Sequence, residues 1–137
     1  THELLAERGY LYSSSMKDCD WAYLWEKDQK ELPLVELPND ITMDDFTYYY
    51  FTFSDPAVRC MYPNREVFGN WKHEFDGLAL EGNKIFILKL HPQMIGRASR
   101  IGMVGEFIAY MQNHGAWITT CEDVARYVQK QNGGNRA

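Results

Sequence analysis

The sequence predicts an α/β fold with a parallel sheet or barrel and helices outside it, and three observations carry that expectation. Strand-like and helix-like segments alternate down the second half of the chain, the pattern of successive β-α-β units. An apolar run at residues 84–90 ends abruptly at His91-Pro92. Its wealth of Ile, Leu and Phe, in a stretch too short for an independent helix, fits a parallel strand covered on both faces. Finally, 137 residues at 45% apolar and 15% aromatic supply the core material of one domain. Strand candidates number about four, whereas a closed parallel barrel requires roughly twice as many.

The elements follow in order. Residues 1–9 read as the end of a helix, with Thr1 a candidate N-cap and Gly9 as its stop. Residues 10–14 form a short strand, and the serines at 13–15 open a loop. From Asp18 to Lys30, charges alternate with Trp21, Tyr23 and Trp25, a mixture that fits a short helix or a hairpin. Residues 33–38 are a second strand, bracketed by Pro33 and Pro38, and Glu36 within it needs a partner if it is buried. Asp44-Asp45 then precede a dense aromatic run at 46–53. The pair either walls a cleft or caps a short helix while the tyrosines pack. Residues 54–63 are loop, broken by Pro56 and Pro63.

Residues 64–82 predict a helix capped by Asn64 and stopped by Gly82, with Val67, Phe68, Trp71, Phe75, Leu78 and Ala79 on one face. His73 and Glu74 fall on its solvated side. After the key strand and His91 comes a helix at 99–113, its buried stripe formed by Ile101, Val104, Ile108 and Met111 with Phe107 beside it, closed by His114-Gly115. Residues 116–120 are a final strand, 122–131 a helix capped near Thr120 or Cys121, and 132–137 a frayed polar tail.

A formal charge of −5, from 14 basic and 19 acidic residues, offers no basic face, so the expected partner is small or neutral and not nucleic acid or an anionic membrane. Cys19, Cys60 and Cys121 give neither a disulfide framework nor a C-x-x-C pair. No stretch has the apolar length of a membrane helix, and the first residues lack a signal peptide's basic start and apolar middle, which makes the cytoplasm the expected location.

The specific enzyme signatures are absent: no Gly-rich phosphate loop, G-x-S-x-G elbow or H-E-x-x-H pair occurs. His2, His73, His91 and His114 share no metal-type spacing, so no complete metal site is visible. What remains is His91 at a strand end, Arg97 just beyond it, Asp44 and Asp45 at another strand's loop, and Trp71 among the aromatics. Imidazole can protonate a leaving amine near neutral pH, and a carboxylate beside it fixes its orientation. That is half of an acid-base pair. The other half, a base to activate water and a stabiliser for the oxyanion, is not found in these residues.

The blocks W-x-x-E-F-D at Trp71 to Asp76 and L-H-P-Q-x-I-G-R-x-x-R at Leu90 to Arg100, followed by a helix and A-W-I-T-T, resemble the C-terminal part of the polysaccharide deacetylase family (carbohydrate esterase family 4). The likeness is to the branch with peptidoglycan-deacetylase-like, allantoinase-like and cyclic-imide-hydrolysing members. Residues 5–14 resemble the family's L-L-x-x-x-G-Y-x-Y-S-S stretch, and Glu36-Leu37-Pro38 with Asp44-Asp45-Phe46 its E-x-P and D-D-W block, with Phe46 in place of tryptophan. Ala98 stands where many members have proline.

The resemblance implies that residues 1–137 are one unit, the C-terminal portion of a distorted (β/α) barrel. It implies a hydrolase acting on an amide, N-acetyl or cyclic amide bond, with His91 as general acid and Asp44 or Asp45 near it. It further implies that a divalent metal, zinc, is held by residues outside this chain, none within it. The expected partners are a small amide or N-acetylated sugar and the missing N-terminal half, or a complementary chain in an oligomer. On that view the 137-residue chain alone is inert. The alternative is a non-catalytic carbohydrate-binding module, with the Tyr48 to Phe53 run and Trp71 as a sugar-stacking wall.

Overall fold

The computed structural model describes residues 1–52, 54 and 61–134. Phe53, Cys60 and most of the loop expected at 54–63 lie outside the described residues, as do the last three of the tail. The chain divides into two compact units, one of residues 1–39, 83–85 and 118–137, the other of residues 40–82 and 86–117.

The first unit is a small mixed sheet with a helix at each end of its sequence. Helix α1 (His2–Glu7) is stopped at Gly9, whose φ of 76° suits glycine. Strands β1 (Tyr12–Ser13), β2 (Tyr23–Lys27) and β3 (Lys30–Glu36) form a sheet of order β1-β3-β2, with β1 parallel and β2 antiparallel to β3. Of the two readings open for residues 18–30, the hairpin is the observed one. Asp28 and Gln29 turn it with φ of 49° and 64°, the left-handed pair that a tight two-residue hairpin demands.

Pro33 does not bound the strand as expected, because β3 begins at Lys30 and runs through it. The ladder absorbs the missing N–H with a register shift opposite Leu24 to Glu26, the sort of irregularity where strand prolines are tolerated. The other helix, here labelled α6 (Cys121–Gly134), starts as expected beside Thr120, whose hydroxyl accepts the Asp123 N–H at 3.1 Å. It continues to Gly134, through residues that composition alone assigns to a frayed tail. Residues 116–120 are not a strand. Their β-branched and aromatic content marked one, but a strand exists only where a neighbour accepts its hydrogen bonds.

The second unit is helical around an aromatic core. A 3-10 turn (Ile41–Met43) leads into α2 (Asp45–Tyr49), followed by α3 (Asn64–Glu81), α4 (Pro92–Ile95) and α5 (Ala98–Asn113). Val67, Trp71 and Phe75 of α3 meet Val104, Phe107 and Met111 of α5 in one buried cluster with Met43, Tyr48, Tyr49 and Ile95. On α3 the expected face is present, except that Ala79 is exposed. Asn64 is not the cap; Pro63 holds that place and the Asn64 amide donates to Ser99 O at 2.9 Å.

The stripe on α5 is rotated from expectation. Phe107 is 1% exposed, whereas Ile101 and Ile108 are 54% and 40% exposed. The reason is ring packing: Phe107 meets Phe68, Phe75 and Phe86 edge-on at centroid distances of 5.5 to 6.3 Å, and the helix turns to seat the larger group.

The segment expected to be a buried parallel strand is half-buried throughout residues 84–90 and belongs to no ladder. Its one β-contact is a parallel bridge between Lys89 and Asp44. Lys89 N–H donates to Met43 O at 2.8 Å and Asp45 N–H to Lys89 O at 3.1 Å. Phe86, Leu88 and Leu90 pack against the core, so the apolar pattern is used, though among the described residues no second strand lies alongside.

Candidate active site

The Lys89–Asp44 bridge brings together the two sequence blocks that carry chemistry. Asp44 is the N-cap of α2, its Oδ1 accepting the Phe46 N–H at 2.9 Å. The next residue, Asp45, is fully buried and points at the other segment. Its Oδ2 accepts the His91 backbone N–H at 2.9 Å, while its Oδ1 lies 2.7 Å from His91 Nδ1. Of the two readings of the acidic pair, the cap is the observed one for Asp44, whereas Asp45 is fully buried and grips the histidine instead of walling a cleft.

This grip decides the chemistry open to His91. A buried ionised carboxylate only accepts, so Nδ1 carries the hydrogen and Nε2 is the nitrogen left to exchange a proton with a bound molecule. His91 sits just before α4, in extended backbone, with Pro92 at the first helical position, where its missing N–H costs nothing. The side chain is 38% exposed and its ring is tilted against Phe46 at a centroid distance of 5.2 Å.

Lys89 joins the group in a way the sequence reading did not single out. Its Nζ lies 3.2 Å from Asp44 Oδ2, and Asp44 Oδ1 lies 3.5 Å from His91 Nδ1. The signal was present as a lone charge inside an apolar run, two residues before His91 and so on the same side of an extended chain.

The other expected site residues lie elsewhere. Trp71 is 1% exposed, in the core, and its indole N–H donates to Thr42 O at 3.1 Å, bracing the turn that leads into the aspartates. Tyr48 and Tyr49 are buried with it, so these three rings do not stand as the open stacking wall of the alternative reading. Arg97 is the backbone N-cap of α5 and its side chain is exposed. Arg100, one turn on, is the arginine that packs inward: it donates to Met94 O at 2.7 Å and lies 3.8 Å over the Tyr49 ring. Burial pushes the Tyr49 phenol up, partly opposed by that guanidinium.

Asp44, Asp45 and His91 also gather enough donor atoms to suggest a cation site, which the histidine spacing alone did not. The donor set does not fit one. Each of the four carboxylate oxygens already faces a protein partner: Phe46 N–H, the Lys89 ammonium, His91 N–H and His91 Nδ1. A cation would have to displace an ammonium and a buried hydrogen bond.

Comparison with known proteins agrees with the resemblance in the sequence. No protein-family model and no curated protein matches the chain. Among solved structures, a protein assigned as a polysaccharide deacetylase from Mycobacterium smegmatis superposes with a TM-score of 0.83 at 27% identity, over 96% of this chain and 45% of that one. The structural relatives are polysaccharide deacetylases and an allantoinase. A second assigned polysaccharide deacetylase, from Pseudomonas aeruginosa PAO1, gives 0.75 at 27% over 95% of this chain and 43% of its own. Puue allantoinase gives 0.73 at 27%, over 91% and 41%. The chain thus spans less than half the length of the polysaccharide deacetylases and the allantoinase it matches, and it corresponds to their C-terminal part.

Proposed function

We propose that this chain supplies the proton-donating half of a hydrolase that cleaves a C–N bond in an amide, N-acetyl or cyclic amide substrate. The observation that carries the reading is the two-point hold of Asp45 on His91, at the backbone N–H and at Nδ1. A residue held at both ends by one buried carboxylate presents Nε2 in a fixed direction. Held in that direction, Nε2 can hand a proton to a leaving nitrogen that lies in its path.

In the proposed step, water adds to the carbonyl carbon and the C–N bond breaks, with the Nε2 proton passing to the leaving nitrogen as that bond opens. His91 then stands neutral and regains a proton from solvent through its exposed side. Phe46 shields one side of the ring and so limits the directions from which a substrate reaches it. The relatives named as deacetylases and allantoinase support a substrate with nitrogen bonded to a carbonyl carbon.

The activating base and the oxyanion stabiliser are assigned to residues outside this chain, as is the zinc that the family resemblance implies. A barrel-type assembly, completed by the remaining part of a longer chain or by a complementary one, is the corresponding architecture. Replacing His91 with Ala in the complete enzyme should lower kcat by about 10²–10⁴-fold for substrates with a poor leaving nitrogen, with the fold retained by circular dichroism. Unchanged turnover would remove His91 from the mechanism.

A further inference from the structure

Lys89 is the one charged side chain between Ile85 and Leu90, a run otherwise made of Ile, Phe and Leu. Its backbone already serves the site by bridging to Met43 and Asp45, on either side of Asp44. Its side chain does something a hydrophobic residue could not. Two adjacent aspartates reach toward the same ring nitrogen, Asp45 Oδ1 at 2.7 Å and Asp44 Oδ1 at 3.5 Å from His91 Nδ1. Only one can hold the single Nδ1 hydrogen, and two like charges side by side repel each other in a half-buried site. The ammonium of Lys89, 3.2 Å from Asp44 Oδ2, neutralises that aspartate. Phe46 N–H holds its other oxygen.

We infer that Lys89 is a positioning residue for the proposed acid: by pinning Asp44 it leaves Asp45 as the sole partner of His91 Nδ1, which fixes the ring's tautomer and direction. The inference rests on the role proposed for His91. Around the ring stand Asp44 and Asp45 from the start of α2, the Phe46 ring, and Lys89 from the segment before α4. Arg100 lies over the Tyr49 ring, and the charge of Asp45 is felt at the Tyr49 phenol. Without Lys89, Asp44 is free to compete for Nδ1, and the imidazole is shared between two carboxylates.

The test uses the full-length protein with Lys89→Met, which keeps length and removes charge, Lys89→Arg, which keeps charge, and Asp44→Asn, which still caps α2 but needs no counter-ion. A hydrogen held between imidazole and carboxylate gives a sharp downfield proton NMR signal, assigned by its loss in His91→Ala. Lys89→Met is expected to broaden or erase that signal and to lower kcat about tenfold with KM little changed, since a misdirected acid loses part of its effect in the transition state. Lys89→Arg should restore both.

In an Asp44→Asn background, Lys89→Met should have no further effect on either. This double variant remains informative if the single one proves too unstable to measure. A retained signal in Lys89→Met, or an equal loss with and without Asp44, would overturn the inference. Turnover indifferent to His91→Ala would instead defeat the proposed function, while the NMR signal would still report whether Lys89 directs the ring.

Discussion

Two buried carboxylates show how much a residue's meaning depends on what surrounds it. Asp45 spends both oxygens on one histidine, whereas Glu36, at the end of β3, gathers a loop. Its Oε1 accepts the Ser15 and Met16 N–H groups at 2.7 and 2.8 Å, and its Oε2 the Trp25 indole N–H at 2.9 Å. Burial alone would push this carboxyl up; the Met16, Ser15 and Trp25 donors outweigh it and hold the group below the ordinary glutamate range. A depressed value means that stability is fully present above the unfolded-state value, about 4.3, and is lost as pH falls through the lower folded one. Denaturation of the wild-type chain followed against pH should therefore show a loss in that acid window. Glu36→Gln should flatten it and cost about 1–3 kcal/mol at neutral pH, since a neutral amide serves the three donors poorly. The sequence announced that Glu36 would need a partner; it did not show which groups would answer.

At the scale of elements, the long helices were legible because each satisfies its own backbone. α3, α5 and α6 have the right period and stop signals, and their bounds agree with expectation to within a few residues. Strands borrow their hydrogen bonds from elsewhere, and there the reading erred: residues 84–90 and 116–120 look like strands and have no ladder. The short α4 was also not foreseen, although its Pro92 and Gly96 are both in the motif. A Cβ on Gly96 would lie 2.5 Å from Pro92 O, too close for any side chain without movement of the turn. Gly96→Ala should cost about 1–3 kcal/mol in chemical denaturation and shift the amide resonances of α4, disturbing the segment that begins at His91. An unaltered stability would show that the turn yields without strain.

For the molecule as a whole, the chain matches under half the length of the polysaccharide deacetylases and the allantoinase it resembles, and the base and oxyanion stabiliser of the proposed reaction are assigned to residues outside it. The 137-residue chain, purified alone and folded by circular dichroism, should show no turnover of an N-acetylated sugar or a cyclic amide above the rate of the buffer. Turnover by the isolated chain, abolished in His91→Ala, would mean that the complementary groups lie within it after all.

By itself, the sequence determined the α/β content, the three long helices and the motif, His91 included, that resembles the polysaccharide deacetylases. These are properties of local period and residue type, which a linear chain displays directly. Only the tertiary structure decided that Asp45 and not Asp44 grips the histidine, that Trp71 is buried in the core, and that Lys89 belongs to the cluster. The physical reason is the same in each case. Asp45 and His91 are separated by 46 positions and meet because one parallel bridge aligns their backbones, and the direction of a side chain at such a crossing is set by packing across the chain and not by its neighbours along it.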